Sequence, residues 1–166
     1  MILGFDTATP STAAAVLLPD GTAFERRDDP APGERPRHAA AVLELVEGVL
    51  ADAGAGWEDV RRLAVGVGPG GFTGLRIGIA TARALAQSRG IETVAVSSLA
   101  ALAANNVRGT FFAVAGIIDA RRGEAFLGVY ADGATVIEPV ALGPEALSEQ
   151  VRSLPGPVVA VGDGAL

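Results

Sequence analysis

Gly66-Val67-Gly68-Pro69-Gly70-Gly71-Phe72-Thr73-Gly74-Leu75-Arg76-Ile77-Gly78 is the stretch on which the reading of this chain turns. It joins an apolar run, residues 62–68, to a helical run, residues 73–89, so it lies where a strand passes into a helix. Its first six residues fit G-x-G-x-x-G, the spacing that brings backbone amides to a pyrophosphate in dinucleotide-binding turns. That use wants an acidic residue about twenty positions on, at the end of the next strand. Glu92 stands at that distance but precedes the strand expected over residues 93–96, which argues against a dinucleotide. Simple anion binding by the amides of residues 70–73 is a second use. The third is structural. Gly74, Gly78, Ala82 and Ala86 recur every four residues, which puts small side chains along one side of the helix. Each interior glycine costs ~1 kcal/mol relative to Ala, and close packing of another backbone would offset that. A tight turn feeding a contact helix is therefore the preferred reading. The contact is either the helix of residues 37–53 or a helix of another subunit.

Outward from this stretch the elements fall into a repeated order. Ile2–Asp6 is a short apolar strand ending on a carboxylate. Residues 12–18 and 22–27 are strands joined by Pro19-Asp20-Gly21, a turn in which Pro sets φ and Gly accepts positive φ. Val42, Leu45, Val46, Val49 and Leu50 give residues 37–53 the apolar face of a helix. Ser98–Ala104 is a short helix. Residues 110–119 then form a strand that again ends on a carboxylate, Asp119. Residues 124–130 and 135–142 make a hairpin around Asp132-Gly133, residues 144–154 a helix, and Val158–Val161 a strand leading into Gly162-Asp163-Gly164. The order strand, Asp, hairpin, helix, strand, glycine loop thus occurs twice. It predicts an α/β protein of actin-like (ASKHA) fold: two ribonuclease-H-like lobes, residues 1–106 and 107–166, the second incomplete. The alternative is one mixed sheet without duplication.

Composition narrows the chemistry. The 166 residues contain no Cys and one His, His38, so disulfides, thiolate sites and multi-His zinc sites are excluded. All 13 cationic side chains are Arg. Without Lys there is no phosphate-loop lysine and no Schiff base. The net charge of -6 and the 5% aromatic share disfavour a broad nucleic-acid surface. No basic leader precedes Ile2 and no run approaches the ~20 apolar residues that span a bilayer, so a cytoplasmic protein with no membrane contact is expected.

Asp6-Thr7-Ala8-Thr9 offers a carboxylate and hydroxyls to a metal-bound phosphate. Thr7 and Ala8 obstruct the backbone approach such a phosphate needs, so capping of a turn by Asp6 is preferred. His38, near a helix start, suits a helix-start or interface role better than catalysis.

Residues 68–78 are similar to the G-P-G-S-F-T-G-L-R-I-G signature of the bacterial TsaB (YeaZ) family. Asp6-Thr7-Ala8-Thr9, Val96-Ser97-Ser98-Leu99, Asp119-Ala120-Arg121-Arg122-Gly123-Glu124 and Gly162-Asp163-Gly164-Ala165 resemble further segments of that family in the same order. Gly71 stands where the family often has Ser, and relatives continue beyond Leu166. The resemblance implies an actin-like fold and a non-catalytic dimerisation subunit for making N6-threonylcarbamoyladenosine at position 37 of tRNAs that read ANN codons. It implies pairing with a TsaD-like catalytic subunit and work with a TsaE-like ATPase, which supply the ATP and Mg²⁺; this chain needs no cofactor or metal of its own. Self-pairing is open to the isolated chain, and tRNA is engaged indirectly. Pairing through the two N-terminal helices places His38, Val42, Leu45, Gly74, Leu75, Gly78 and Ala82 at the interface. Asp6, Thr7, Thr9, Asp119, Gly162, Asp163 and Gly164 mark a vestigial nucleotide site. Arg121 and Arg122 either meet tRNA phosphate or a partner carboxylate, or form a solvated turn. The rival function is an actin-fold phosphotransferase or ATPase using Asp6 and Asp119 around Mg²⁺.

Overall fold

The computed structural model describes residues 1–104 and 112–165. They form two compact units, Met1–Val96 and Ser97–Leu166.

In the first unit β1 (Ile2–Asp6), β2 (Thr12–Leu17) and β3 (Ala23–Asp28) form an antiparallel meander. The β2–β3 turn closes through Leu18 N to Thr22 O at 2.8 Å, with Gly21 at φ +87 and Asp20 accepting from Thr22 N. β4 (Arg62–Gly66) runs parallel to β1, and β5 (Glu92–Val96) parallel to β4, in the order β3-β2-β1-β4-β5. The parallel pairs need crossovers, supplied by α1 (His38–Asp52) and α2 (Phe72–Arg89). Alternation along the strands turns Leu3, Phe5, Ala14, Val16, Leu63 and Val65 to one face, where Val42, Val46, Val49 and Leu50 of α1 meet them. Glu92 belongs to β5, not to the loop before it, because it pairs in register with Arg62 and binds its guanidinium at 3.1 Å. β4 ends at Gly66, two residues before the expected end, because Gly68 leaves the extended region at φ +99.

The second unit repeats the plan. β6 (Ala113–Arg121), β7 (Glu124–Ala131) and β8 (Ala134–Leu142) form a meander, and β9 (Val158–Val161) lies parallel to β6, in the order β8-β7-β6-β9. Ala113 through Ile118 are all buried, because β6 is covered on both faces. α3 (Ser98–Ala104) brings Leu99 against Gly116, and α4 (Pro144–Arg152) brings Leu147 and Val151 to the cluster of Ala115, Ile117, Leu127 and Val129. Among the described residues this sheet has four strands, against five in the first unit. The lobe boundary expected after residue 106 and the first two residues of the strand expected over 110–119 lie outside the described residues. The units divide between Val96 and Ser97, because α3 packs on β6 and β7.

α2 crosses the end of β1 closely. A Cβ on Gly74 would overlap the Thr7 carbonyl, and one on Gly78 would overlap Thr7 Oγ1. That hydroxyl donates to Gly74 O at 2.8 Å. Ala82, one turn on, is 1% exposed in the core with α1 and the sheet. The small-residue stripe thus meets the chain's own β1 end. Placing Gly74, Gly78 and Ala82 at a subunit interface is corrected by this geometry. We expect Gly74→Ala to lower unfolding stability by about 1–3 kcal/mol, the usual cost of forcing atoms into a packed site, as read from urea denaturation.

Candidate functional site

Two connections meet at the end of β1. Asp6 Oδ1 accepts the amide of Ala8, and the Asp6 carboxylate lies where a side chain on Gly66 would have to be. Ala8 O accepts the amide of Gly71 at 2.6 Å and is also pressed against Gly70. The glycine loop is therefore filled by residues 6–8 of its own chain. An amide that would face an anion at the start of α2 already has a carbonyl partner. Thr7 is 1% exposed with its hydroxyl committed to Gly74 O, and Thr9 Oγ1 points to Ser11 O at 3.5 Å. Asp6, Thr7 and the glycine loop are brought together, but as packing partners.

His38 begins α1 and lies beside the same junction. It is 7% exposed, shares a 2.8 Å hydrogen bond between Nδ1 and Thr12 Oγ1, and sets Nε2 against Gly74. Burial pushes its pKa down, against the opposing pull of the Asp28 and Asp6 charges. Among the described residues no group of three or more His, Asp or Glu is placed to hold a metal ion.

The second unit treats its carboxylate alike. Asp119 Oδ1 accepts the amide of Arg121 at 2.7 Å, two residues on, as Asp6 does with Ala8. Asp163 Oδ1 accepts the Asp119 amide at 3.1 Å. Gly162, at φ +112, and Gly164 lie against the backbone of Ile117, Ile118 and Asp119. Each glycine loop packs on the end of the first strand of its own lobe.

What α1 and α2 leave exposed differs from the expected interface. His38, Val42, Gly74, Gly78 and Ala82 are buried within the first unit; Leu45 and Leu75 are half-buried. The exposed apolar groups are Leu43 on α1, and Phe72 on α2 at 67% exposure, with the Arg76 guanidinium 3.9 Å above the Phe72 ring. Charge divides between the helices: α1 carries Glu44, Glu47 and Asp52 with no Arg, and α2 carries Arg76, Arg83 and Arg89 with no acid. Leu43 was detectable in sequence as the large apolar residue of α1 off its buried face. Phe72 was masked by the glycines around it.

The family model described as TsaD, tRNA N6-adenosine threonylcarbamoyltransferase, matches residues 33–157. The tRNA threonylcarbamoyladenosine biosynthesis protein TsaB of Escherichia coli (strain K12) is 35% identical over 169 residues, covering 98% of this chain and 71% of that protein. The chain belongs to the TsaB (YeaZ) family. The Bacillus subtilis (strain 168) TsaB is also 35% identical, over 78% of this chain and 54% of its own length. The structure of YeaZ from Pseudomonas aeruginosa superposes with a TM-score of 0.77 at 31% identity, covering 99% of this chain and 84% of that one. The α/β fold, with a strand meander and added parallel strands in each unit, is thus that of the TsaB family. No helix of the described residues is long and apolar enough to cross a membrane.

The depressed pKa keeps His38 neutral in the fold, while the unfolded chain takes up the proton first. Stability is then complete above roughly pH 7 and falls as pH drops through about 6.5 towards the folded pKa. Thermal unfolding between pH 7.5 and 5.5 should show this decline, and His38→Gln should flatten it. A decline of equal size in the variant would assign it to other groups.

Proposed function

We propose that this chain is a non-catalytic subunit of the assembly that forms N6-threonylcarbamoyladenosine at position 37 of tRNAs reading ANN codons. In this reading it docks a TsaD-like catalytic subunit in the cytoplasm, and a TsaE-like ATPase works beside them. ATP and Mg²⁺ belong to those partners. Family membership supports the pathway, since the matched relatives are named for threonylcarbamoyladenosine biosynthesis. The non-catalytic role rests on one observation: Ala8 O takes the Gly71 amide in the glycine loop of the first lobe, and the Asp6 carboxylate lies against Gly66 where β4 enters that loop. A phosphate would have to displace both.

Docking is assigned to the exposed faces of α1 and α2. Phe72 with Arg76 stacked on it is an aromatic–guanidinium pair of the kind that anchors interfaces. The acidic α1 and basic α2 complement a partner that sets a basic surface against α1 and an acidic one against α2. A second copy of this chain, turned by a two-fold axis, meets the same condition, so self-pairing competes with the catalytic subunit.

Phe72→Ala should weaken co-purification with the TsaD-like subunit about tenfold or more, the usual loss at an interface anchor, while leaving the fold's melting temperature unchanged. tRNA modification by the mixed subunits should fall with it. Undiminished pairing would place the interface elsewhere. Calorimetry of the isolated chain with ATP and Mg²⁺ should show no binding; tight binding with turnover would favour the phosphotransferase.

A further inference from the structure

Trp57, the one Trp of the chain, stands in the connection from α1 to β4. It opens a single turn of 3-10 helix, Trp57–Asp59, that is held in place from two sides. The Asp59 carboxylate accepts the amide of Gly56 at 3.1 Å, and Asp59 O accepts the Met1 amine at 3.0 Å. The half-buried indole packs at the edge of the core of the first unit.

Both helices grip that indole. Its Nε1–H donates to Glu47 Oε1 of α1 at 2.9 Å, and the guanidinium of Arg89, in the last turn of α2, lies 4.1 Å above the ring. Glu47 and Arg89 are exposed, and neither makes an ion pair among the described residues. The core already seats each helix on the sheet, through Val42, Val46 and Val49 of α1 and Ala82 of α2. What the indole adds is a link from one helix to the other. The helices also meet at their starts, where His38 sets Nε2 against Gly74. Trp57 is a second fastening, farther along both. A Trp combines a ring face for the guanidinium with an N–H donor at the ring edge; Phe keeps the face and loses the donor.

We infer that Trp57 is a positioning residue for docking: its indole, held by Glu47 and Arg89, fixes the spacing of the two helices on which a partner must rest at once. This rests on the proposed docking through α1 and α2. Folding depends little on such exposed contacts. Docking depends on them more. A partner that spans two helices binds only the molecules in which both are in place, and its apparent affinity falls with that fraction.

Calorimetric titration of the chain with the TsaD-like subunit tests it. Glu47→Ala and Trp57→Phe should each weaken binding several-fold, at a melting temperature near the parent's. Glu47→Gln keeps an oxygen for the indole N–H and should recover most of the binding lost in Glu47→Ala. The double variant, Trp57→Phe with Glu47→Ala, should bind no more weakly than either single one, because the link is already broken. Parent-like binding by Glu47→Ala or by Trp57→Phe would overturn the inference. So would equal losses in Glu47→Gln and Glu47→Ala, which would put the Glu47 charge directly on the partner, or additive losses in the double variant. A melting temperature lowered in step with the lost binding would overturn it in favour of a folding role. If the parent chain itself does not bind the TsaD-like subunit, the proposed function fails and this inference with it.

Discussion

Thr7 sits where α2 passes over the end of β1, and two glycines one turn apart leave the room for it. The helix backbone comes close enough for the Thr7 hydroxyl to donate to Gly74 O. Any side chain at Gly74 would meet the Thr7 carbonyl. Much of the first lobe depends on this approach. It seats the start of α2 against His38, draws Gly71 onto Ala8 O, and directs the helix towards the core reached by Ala82. The loss of helix propensity at two glycines is offset by a junction that no larger residue permits.

The same approach explains why a sequence resembling a phosphate loop does not present one. A loop of this kind binds anions when its amides are free and its floor is open. Here the floor is the Asp6–Ala8 segment, and the Asp6 carboxylate is turned onto its own backbone. The second lobe uses Asp119 and the Gly162-Asp163-Gly164 loop in the same way. The duplication is thus visible in what the carboxylates do as well as in strand order. With the loops closed on themselves, surface features carry the functional reading: the Phe72–Arg76 pair and the charge division of α1 and α2.

Much of the architecture is legible in the residues alone. The spacing of Val42, Leu45, Val46, Val49 and Leu50 located α1 to within a residue, and Pro19-Asp20-Gly21 and Asp132-Gly133 marked two hairpins correctly. The carboxylates ending Ile2–Asp6 and the strand at Asp119 exposed the repeat. The buried side of α2 was not legible. Periodic small residues report that some backbone comes close, but they are silent on whose backbone it is. The stripe fits either the helix of residues 37–53 or another subunit, and in the structure Gly74 and Gly78 meet Thr7 while Ala82 joins the core.

Sequence alone therefore determined the element order, the duplicated lobes, the absence of thiolate and lysine chemistry, and the TsaB-family signature, because these depend on local periodicity and residue type. Tertiary structure alone decided which side of α2 is spent inside the lobe and which stays exposed. It also decided that Asp6 and Asp119 serve backbone amides, and that Arg122 stands in a left-handed turn. Those outcomes depend on contacts between residues distant in the chain, or on backbone angles that Arg does not announce.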